Sequence, residues 1–270
     1  MVDGTSTTEF MNSWGETARG LPLSVPPFLD RTILRARVPP KIEYLHQELT
    51  EIEDVSDMAS LYEEEYILRS FCFDSERLER VKVEATEGGV LGGGCTTFEA
   101  LAGFVWRART RALRMRPHQQ TRLLCAVNVR RRLHPPLPVG FFGNGVVVAH
   151  RLCPAGELLE KPLSFAVGMV QEAVGAVTSG YVRSVLDYIE ATRGEEPSFV
   201  ASHMITSWSR LPFYAADFGW GEPLQYGPPA PVHRDLVMFL SRGKGCTSIN
   251  VLMGLPSTAM VTFQELVTKI

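Results

Sequence analysis

Hydrophobic and polar positions recur with different periods along this chain, and each change of period marks an element. After Ser6 the apolar residues Phe10, Met11, Trp14 and Ala18 fall at helical spacing, with Gly20 as a stop. Ser6 with Glu9 three residues later has the form of a capping box, so a core-facing helix is predicted within a few residues of Met1. Tyr66 to Phe73 has strand character, and Ser75 to Thr86 returns to a helical period. Glu87 to Gly94 is a glycine-rich turn, and Thr96 with Glu99 opens a helix predicted to reach Met115. Its apolar positions are Phe98, Leu101, Ala102, Val105, Trp106 and Leu113.

Strands are predicted at Arg122 to Val129 and Gly143 to Leu152, followed by helices at Leu163 to Thr178 and Gly180 to Ala191. A strand at His203 to Trp208 precedes two more, Arg234 to Ser241 and Thr247 to Met253, whose turn Arg242–Gly243–Lys244–Gly245 makes them a hairpin. Ser257 to Thr268 closes the chain as a helix. Helices and strands interleave while one pair is antiparallel, so the expectation is an α+β domain with a mixed sheet. Residues 21 to 55, rich in proline, show no sustained period and read as a surface linker at a domain boundary.

Composition narrows the function classes. The 270 residues are 45% hydrophobic and 21% charged, which allows a sizeable core. A net charge of −3 gives no global pull toward nucleic acid or anionic membranes, although Arg107 to Arg114 and Arg130 to Arg132 form a local basic cluster. The five cysteines have no CxxC spacing, so neither a disulfide framework nor a zinc site is expected, and most of them read as buried small hydrophobes. No signal-peptide pattern and no apolar run of about 18 residues occurs, which predicts a cytoplasmic protein.

Candidate chemistry is sparse at first sight. The six histidines show no metal-ligand spacing, and neither a GxSxG elbow nor a Walker loop is present. Gly92–Gly93–Gly94 before a helix start is a turn that at most could approach a phosphate. Around Ile205 to Gly221 the density of unusual residues is highest. Trp208, at the end of a strand, could aim its indole N–H at an oxyanion or lie in the core; Trp220 is expected in the core. Asp217 is either a catalytic carboxylate or half of a structural ion pair, with Arg130, Arg131 and Arg132 as the obvious partners.

These segments resemble the BAHD acyltransferases of plants. The resemblance rests on Asp217–Phe218–Gly219–Trp220–Gly221, preceded by Thr206–Ser207–Trp208, and on NSWGETARG from Asn12, VPPFLDR from Val25, TTFEAL from Thr96, VWRA from Val105 and FGN from Phe142. It covers essentially the whole chain. PPKIEYLHQE from Pro39, SFCFD from Ser70 and GELLEKPLSFAVG from Gly156 are most similar to the members that feruloylate long-chain hydroxy acids and fatty alcohols. Transferases acting on shikimate or quinate are the neighbouring reading.

The resemblance implies a chloramphenicol acetyltransferase-like mixed sheet flanked by helices. It implies acyl-CoA as co-substrate, with no cofactor and no metal. Feruloyl-CoA or a related thioester would be the donor and a long-chain hydroxyl the acceptor. It further implies Trp208 as oxyanion donor, Thr206 as the residue orienting the acceptor, and Asp217 as a catalytic-motif residue of structural character. Thr96, Thr97 and Arg210 become candidates for the coenzyme A phosphates, and Asp3 with Arg130 become scaffold residues. Arg193 could meet an acidic acceptor or stay solvated.

One departure from the family pattern matters most. The family's general base is the histidine of HxxxDG, and Asp3–Gly4 fill the last two positions, which places that histidine two residues before Met1. None of the six histidines present has an aspartate four residues later. The expectation is therefore residues 1–37 as the remnant of an N-terminal domain, 38–64 as a crossover and 65–270 as the C-terminal domain. The remnant should be poorly ordered or expose apolar surface. The chain would transfer acyl groups poorly; the other readings are a non-catalytic coenzyme A-binding protein and an incomplete gene model.

Overall fold

A computed structural model describes residues 2–50, 52, 63–87, 91–192, 202–228 and 234–270. Arg193, His233 and part of the glycine-rich turn at Glu87 to Gly94 lie outside the described residues.

Six strands form one mixed sheet: β1 Tyr66–Phe73, β2 Gln120–Asn128, β3 Val146–Pro154, β4 Ser202–Ser207, β5 Leu236–Ser241 and β6 Ile249–Pro256. Their order is β1-β6-β5-β4-β2-β3. The central strands β2, β4 and β5 run parallel, and antiparallel partners flank them on both sides. All three parallel strands therefore end on one edge, at Asn128, Ser207 and Ser241. In open α/β sheets that edge is where ligands bind.

The helices are α1 Gly4–Ala18, α2 Ser75–Thr86, α3 Thr97–Ala112, α4 Ala155–Glu160, α5 Leu163–Ala176, α6 Ser179–Ala191 and α7 Ser257–Thr268. Alternate strand residues bury against them: Ile205, Phe239, Val251 and Met253 are all 0% exposed. Within α3, Leu101, Val105 and Trp106 are fully buried, and the Trp106 indole donates to Thr121 Oγ1 at 2.9 Å. That bond satisfies the one polar atom of the largest core side chain.

The start of the chain differs from its reading. Asp3, not Ser6, caps α1, by accepting the Ser6 N–H at 2.9 Å. Ser6 is instead buried and bonds the Gly143 carbonyl at 2.8 Å. The predicted apolar face is turned outward, with Phe10 51% and Trp14 55% exposed.

Residues 21–50 carry only two 3-10 turns, Thr32–Leu34 and Gln47–Leu49, yet the segment is firmly tied. Asp187 of α6 accepts from the Arg37 and Lys41 N–H groups and from Arg37 Nε, while Arg183 donates to the Ile33 carbonyl. Buried Arg122 donates to the carbonyls of Gln47 and Thr50.

Candidate active site

The site is built on the edge where β2, β4 and β5 end. Thr206 pairs with Met238, and Ser207 with Phe239. Consecutive strand residues point to opposite faces. Ser207 therefore shares the helix-covered face with Phe239, which packs against Phe98 of α3, and Thr206 faces the other side.

On the helix-covered side lies a cavity of about 630 Å³. Its walls include Thr97, Asn128, Ser207, Arg210, Cys246 and Ser248. Hydroxyl and amide groups predominate over charge, and Arg210, an exposed side chain, supplies positive charge. The other arginine in the wall, Arg132, is held by the carbonyls of Val174 and Val177 at the end of α5.

Thr97 and Arg210 thus lie together, as the sequence suggested, whereas the Thr96 side chain has another task. Its hydroxyl accepts from Glu99 N and the Glu99 carboxylate accepts from Thr96 N, a complete capping box. A helix N-terminus already faced by Glu99 is a weaker anion site than a bare one. Ser207, Ser209, Cys246, Thr247 and Ser248 were missed because isolated hydroxyls carry no sequence signal. The cysteines also correct their reading: Cys125 and Cys153 are buried, Cys72 and Cys95 are partly exposed, and Cys246 is exposed, its thiol drawn below the ordinary value by hydrogen bonds with Ser248.

Trp208 follows β4, its N–H bonded to the Phe239 carbonyl at 2.8 Å. Its ring stacks on Phe213 at 5.4 Å, and the Tyr226 hydroxyl donates to its carbonyl at 2.9 Å. No protein acceptor among the described residues takes the indole N–H. The start of α1 sits directly against it. A Cβ on Gly4 would stand 2.9 Å from Trp208 Nε1 and 2.8 Å from Leu211 Cδ1, so glycine is what permits this approach. Gly4→Ala is expected to push the indole aside and to lower stability by about 1–3 kcal/mol in urea unfolding, with a shifted tryptophan emission.

Asp3 is held next to Gly4 by a fork. Arg130 Nη1 lies 2.6 Å from Asp3 Oδ2 and Nη2 3.0 Å from Oδ1, and the Gly145 N–H adds a bond of 2.8 Å. Burial would raise the Asp3 carboxyl, but these donors and Ser6 N–H outweigh it and hold it below its ordinary value.

Asp217 is not neutralised by Arg130, Arg131 or Arg132. Its partner is Arg19 beyond the end of α1, at 3.2 Å, because Arg130 is engaged by Asp3. Asp217 Oδ1 also accepts from the Gly219 and Gly221 N–H groups, which keeps the carboxyl low. Both glycines have positive φ, +103° and +95°, a conformation that closes this turn around the carboxylate. Trp220 is 95% exposed rather than in the core: the turn directs Phe218 inward onto Trp14 and Trp220 outward.

No hydrogen bond or ion pair joins a described histidine to Asp3, Thr206 or Trp208. His46 and His150 both pair with buried Glu48, and His203 is fully buried in β4. Among the described residues no group of side chains is arranged to hold a metal ion, and no helix is long and apolar enough to cross a membrane.

Comparisons with known proteins place the chain in a family. A family model described as Transferase family matches residues 1–269. The chain is 57% identical to omega-hydroxypalmitate O-feruloyl transferase of Arabidopsis thaliana, across 98% of this chain and 58% of that protein. It is 49% identical to fatty alcohol:caffeoyl-CoA acyltransferase of Arabidopsis thaliana, across 98% of this chain and 61% of the relative. The chain thus spans about three fifths of the length of these relatives. Its fold is similar to that of vinorine synthase, with a TM-score of 0.72 at 20% identity, covering 99% of this chain and 60% of that one. The chain belongs to the BAHD acyltransferase family.

Proposed function

We propose that this chain carries the thioester-binding and oxyanion-stabilising side of a hydroxycinnamoyl-CoA-dependent O-acyltransferase, with feruloyl-CoA or a related thioester as donor and a long-chain hydroxyl as acceptor. The observation that carries this reading is a hydroxyl-lined cavity at the sheet edge whose wall includes Ser207 and Ser209, the two neighbours in sequence of Trp208, whose indole N–H has no acceptor among the described residues. Coenzyme A is a phosphate-bearing nucleotide joined to a pantetheine arm of amides and methylenes. Hydroxyls such as Ser207, Ser209 and Ser248 match the amides, and Arg210 matches a phosphate. The acceptor class is supported by the named activities of the two relatives.

In the reaction the acceptor oxygen attacks the thioester carbonyl, its proton passes to a base, and the tetrahedral intermediate expels the coenzyme A thiolate. Trp208 Nε1–H would stabilise the oxyanion, a contribution of about 3–4 kcal/mol for a donor of this kind. Thr206, on the opposite sheet face from Ser207, would orient the acceptor hydroxyl. Asp3, Arg130 and Asp217 fix the backbone around the indole rather than touching substrate. No histidine among the described residues is placed to take the proton, so the 270-residue chain is read as binding donor without efficient transfer. A positioned base typically contributes about 10²–10⁴-fold to rate.

Calorimetric titration with feruloyl-CoA is expected to show saturable binding, weakened about tenfold by Arg210→Ala with unchanged melting temperature. Transfer to 16-hydroxyhexadecanoate is expected to run at least about a hundredfold below that of an intact relative. Absence of binding would remove the reading, and turnover at the relative's rate would remove its last clause.

A further inference from the structure

Trp208 stands one residue beyond the end of β4. Its backbone N–H is still tied to β5, through the Phe239 carbonyl at 2.8 Å. Its carbonyl takes two donors, one for each lone pair: the Leu211 N–H at 3.0 Å and the Tyr226 hydroxyl at 2.9 Å. The first is a local turn. The second reaches back across 18 positions of sequence and closes the segment between them on itself.

Tyr226 reaches Trp208 through packing as well. Phe213 touches both rings, with centroids 5.4 Å from Trp208 and 4.6 Å from Tyr226, and the ring planes are tilted by only 32° and 30°. These separations lie in the range where aromatic pairs attract. Tyr214 meets Tyr226 edge-on at 5.0 Å and braces that ring in turn. Burial pushes the Tyr226 phenol above its ordinary value, so the hydroxyl keeps its proton at neutral pH and can donate. Tyr226 is not among the residues that wall the donor cavity.

We propose that Tyr226 is a positioning residue for acyl transfer, holding the backbone and ring plane of Trp208 so that the indole N–H stands ready for the oxyanion; this rests on the acyl-transfer reading above. A hydrogen-bond donor stabilises a transition state only as far as its direction is fixed beforehand. The direction of this indole is set by the bonds to its carbonyl, by the stack on Phe213 and by the close approach of α1 at Gly4. Tyr226 supplies one of the carbonyl bonds and packs behind Phe213. Loss of its hydroxyl should therefore cost binding of the tetrahedral species and leave binding of the planar thioester as it was.

Fluorine NMR of the full chain labelled with 5-fluorotryptophan tests the positioning. The four tryptophans give four resonances, and Trp208→Phe identifies its own. Tyr226→Phe keeps the stacked rings and removes only the hydroxyl. It is expected to shift or split the Trp208 resonance and to leave those of Trp14, Trp106 and Trp220 in place. Calorimetry gives the second readout, with a feruloyl-CoA analogue that carries difluoromethylene in place of the thioester sulfur, a ketone that hydrates to a tetrahedral centre. Tyr226→Phe is expected to bind this analogue about fivefold more weakly, the scale of one hydrogen bond, with feruloyl-CoA affinity unchanged. Tyr226→Leu, which loses the ring as well, should lose more. An unmoved Trp208 resonance in Tyr226→Phe, or the same change in both affinities, would overturn the role of Tyr226. Equal affinity of the parent and Trp208→Phe for the ketone would instead remove the indole as oxyanion donor, and this proposal with it.

Discussion

Arg130→Ala is expected to lower the stability of the fold by about 3–5 kcal/mol, the scale for removing one partner of a buried ion pair. The Asp3 side chain is 6% exposed and Arg130 13% exposed. Without the guanidinium, Asp3 would keep the Gly145 and Ser6 N–H groups but lose both charge-assisted bonds. Arg130 also donates to Ser6 Oγ and to the Gly143 carbonyl, so the loop from Phe142 to Gly145 loosens with it. Arg130→Lys keeps the charge and loses the fork, and should recover less than half of the loss. The Asp3 carboxyl lies below its ordinary value when folded, so its contribution is present above the ordinary carboxylate range and fades as pH falls below it. Urea unfolding checks all three; a loss under 1 kcal/mol for Arg130→Ala would contradict the anchoring role of the pair.

Glu48→Gln is expected to have an effect of similar size far from the site. Glu48 is 2% exposed and stands between His46 Nδ1 and His150 Nδ1, each at 2.8 Å, with the Tyr181 hydroxyl as a third donor. Ser184 Oγ accepts the N–H groups of Glu43 and Tyr44, so it donates to His46 Nε2 and leaves Nδ1 to donate to Glu48. Burial alone would raise the Glu48 carboxyl; the hydrogen bonds from His150, His46 and Tyr181 outweigh it and hold it at about 2. Relative to the ordinary value of 4.5, this corresponds to about 3 kcal/mol. The sign follows from a depressed folded value: the contribution is full above about 4.5 and is lost as pH falls toward about 2. Urea unfolding at pH 7 and pH 3 should therefore show a steeper acid loss for the parent than for Glu48→Gln. Equal acid limbs would contradict it.

Much of the secondary structure was legible because it is written in local periods. Tyr66–Phe73, Ser75–Thr86 and Ser257–Thr268 match their predicted bounds, and the β5–β6 hairpin is present. The parallel pairing of β2, β4 and β5 was not legible, since strands far apart in sequence meet without a local signal. For the same reason the Asp217 partner was assigned to the wrong arginines: Arg19 is 198 residues away and looks like any helix-end arginine. The cap of α1 was misplaced because Ser6 and Glu9 imitate a capping box while Asp3 holds the true position.

The Glu48 cluster was invisible in sequence for a related cause. Five polar residues that converge on one buried point each look like an ordinary surface residue in the chain. The site itself was half legible. Trp208, Thr206, Thr97 and Arg210 fall at one edge, but the hydroxyls that make the cavity came only with the register. The conspicuous DFGWG segment is a turn closed around its own aspartate and tied to Arg19 beyond the end of α1.

Hydrogen exchange with and without saturating feruloyl-CoA tests the central claim most directly, that the cavity at the ends of β2, β4 and β5 holds the thioester. The account predicts slowed exchange at Thr97 and Phe98, at Ser207 to Arg210 and at Thr247 to Ile249, with Leu68 to Ser70 unchanged. Protection confined to β1 or α1, or no protection at the strand ends under saturation, would contradict it.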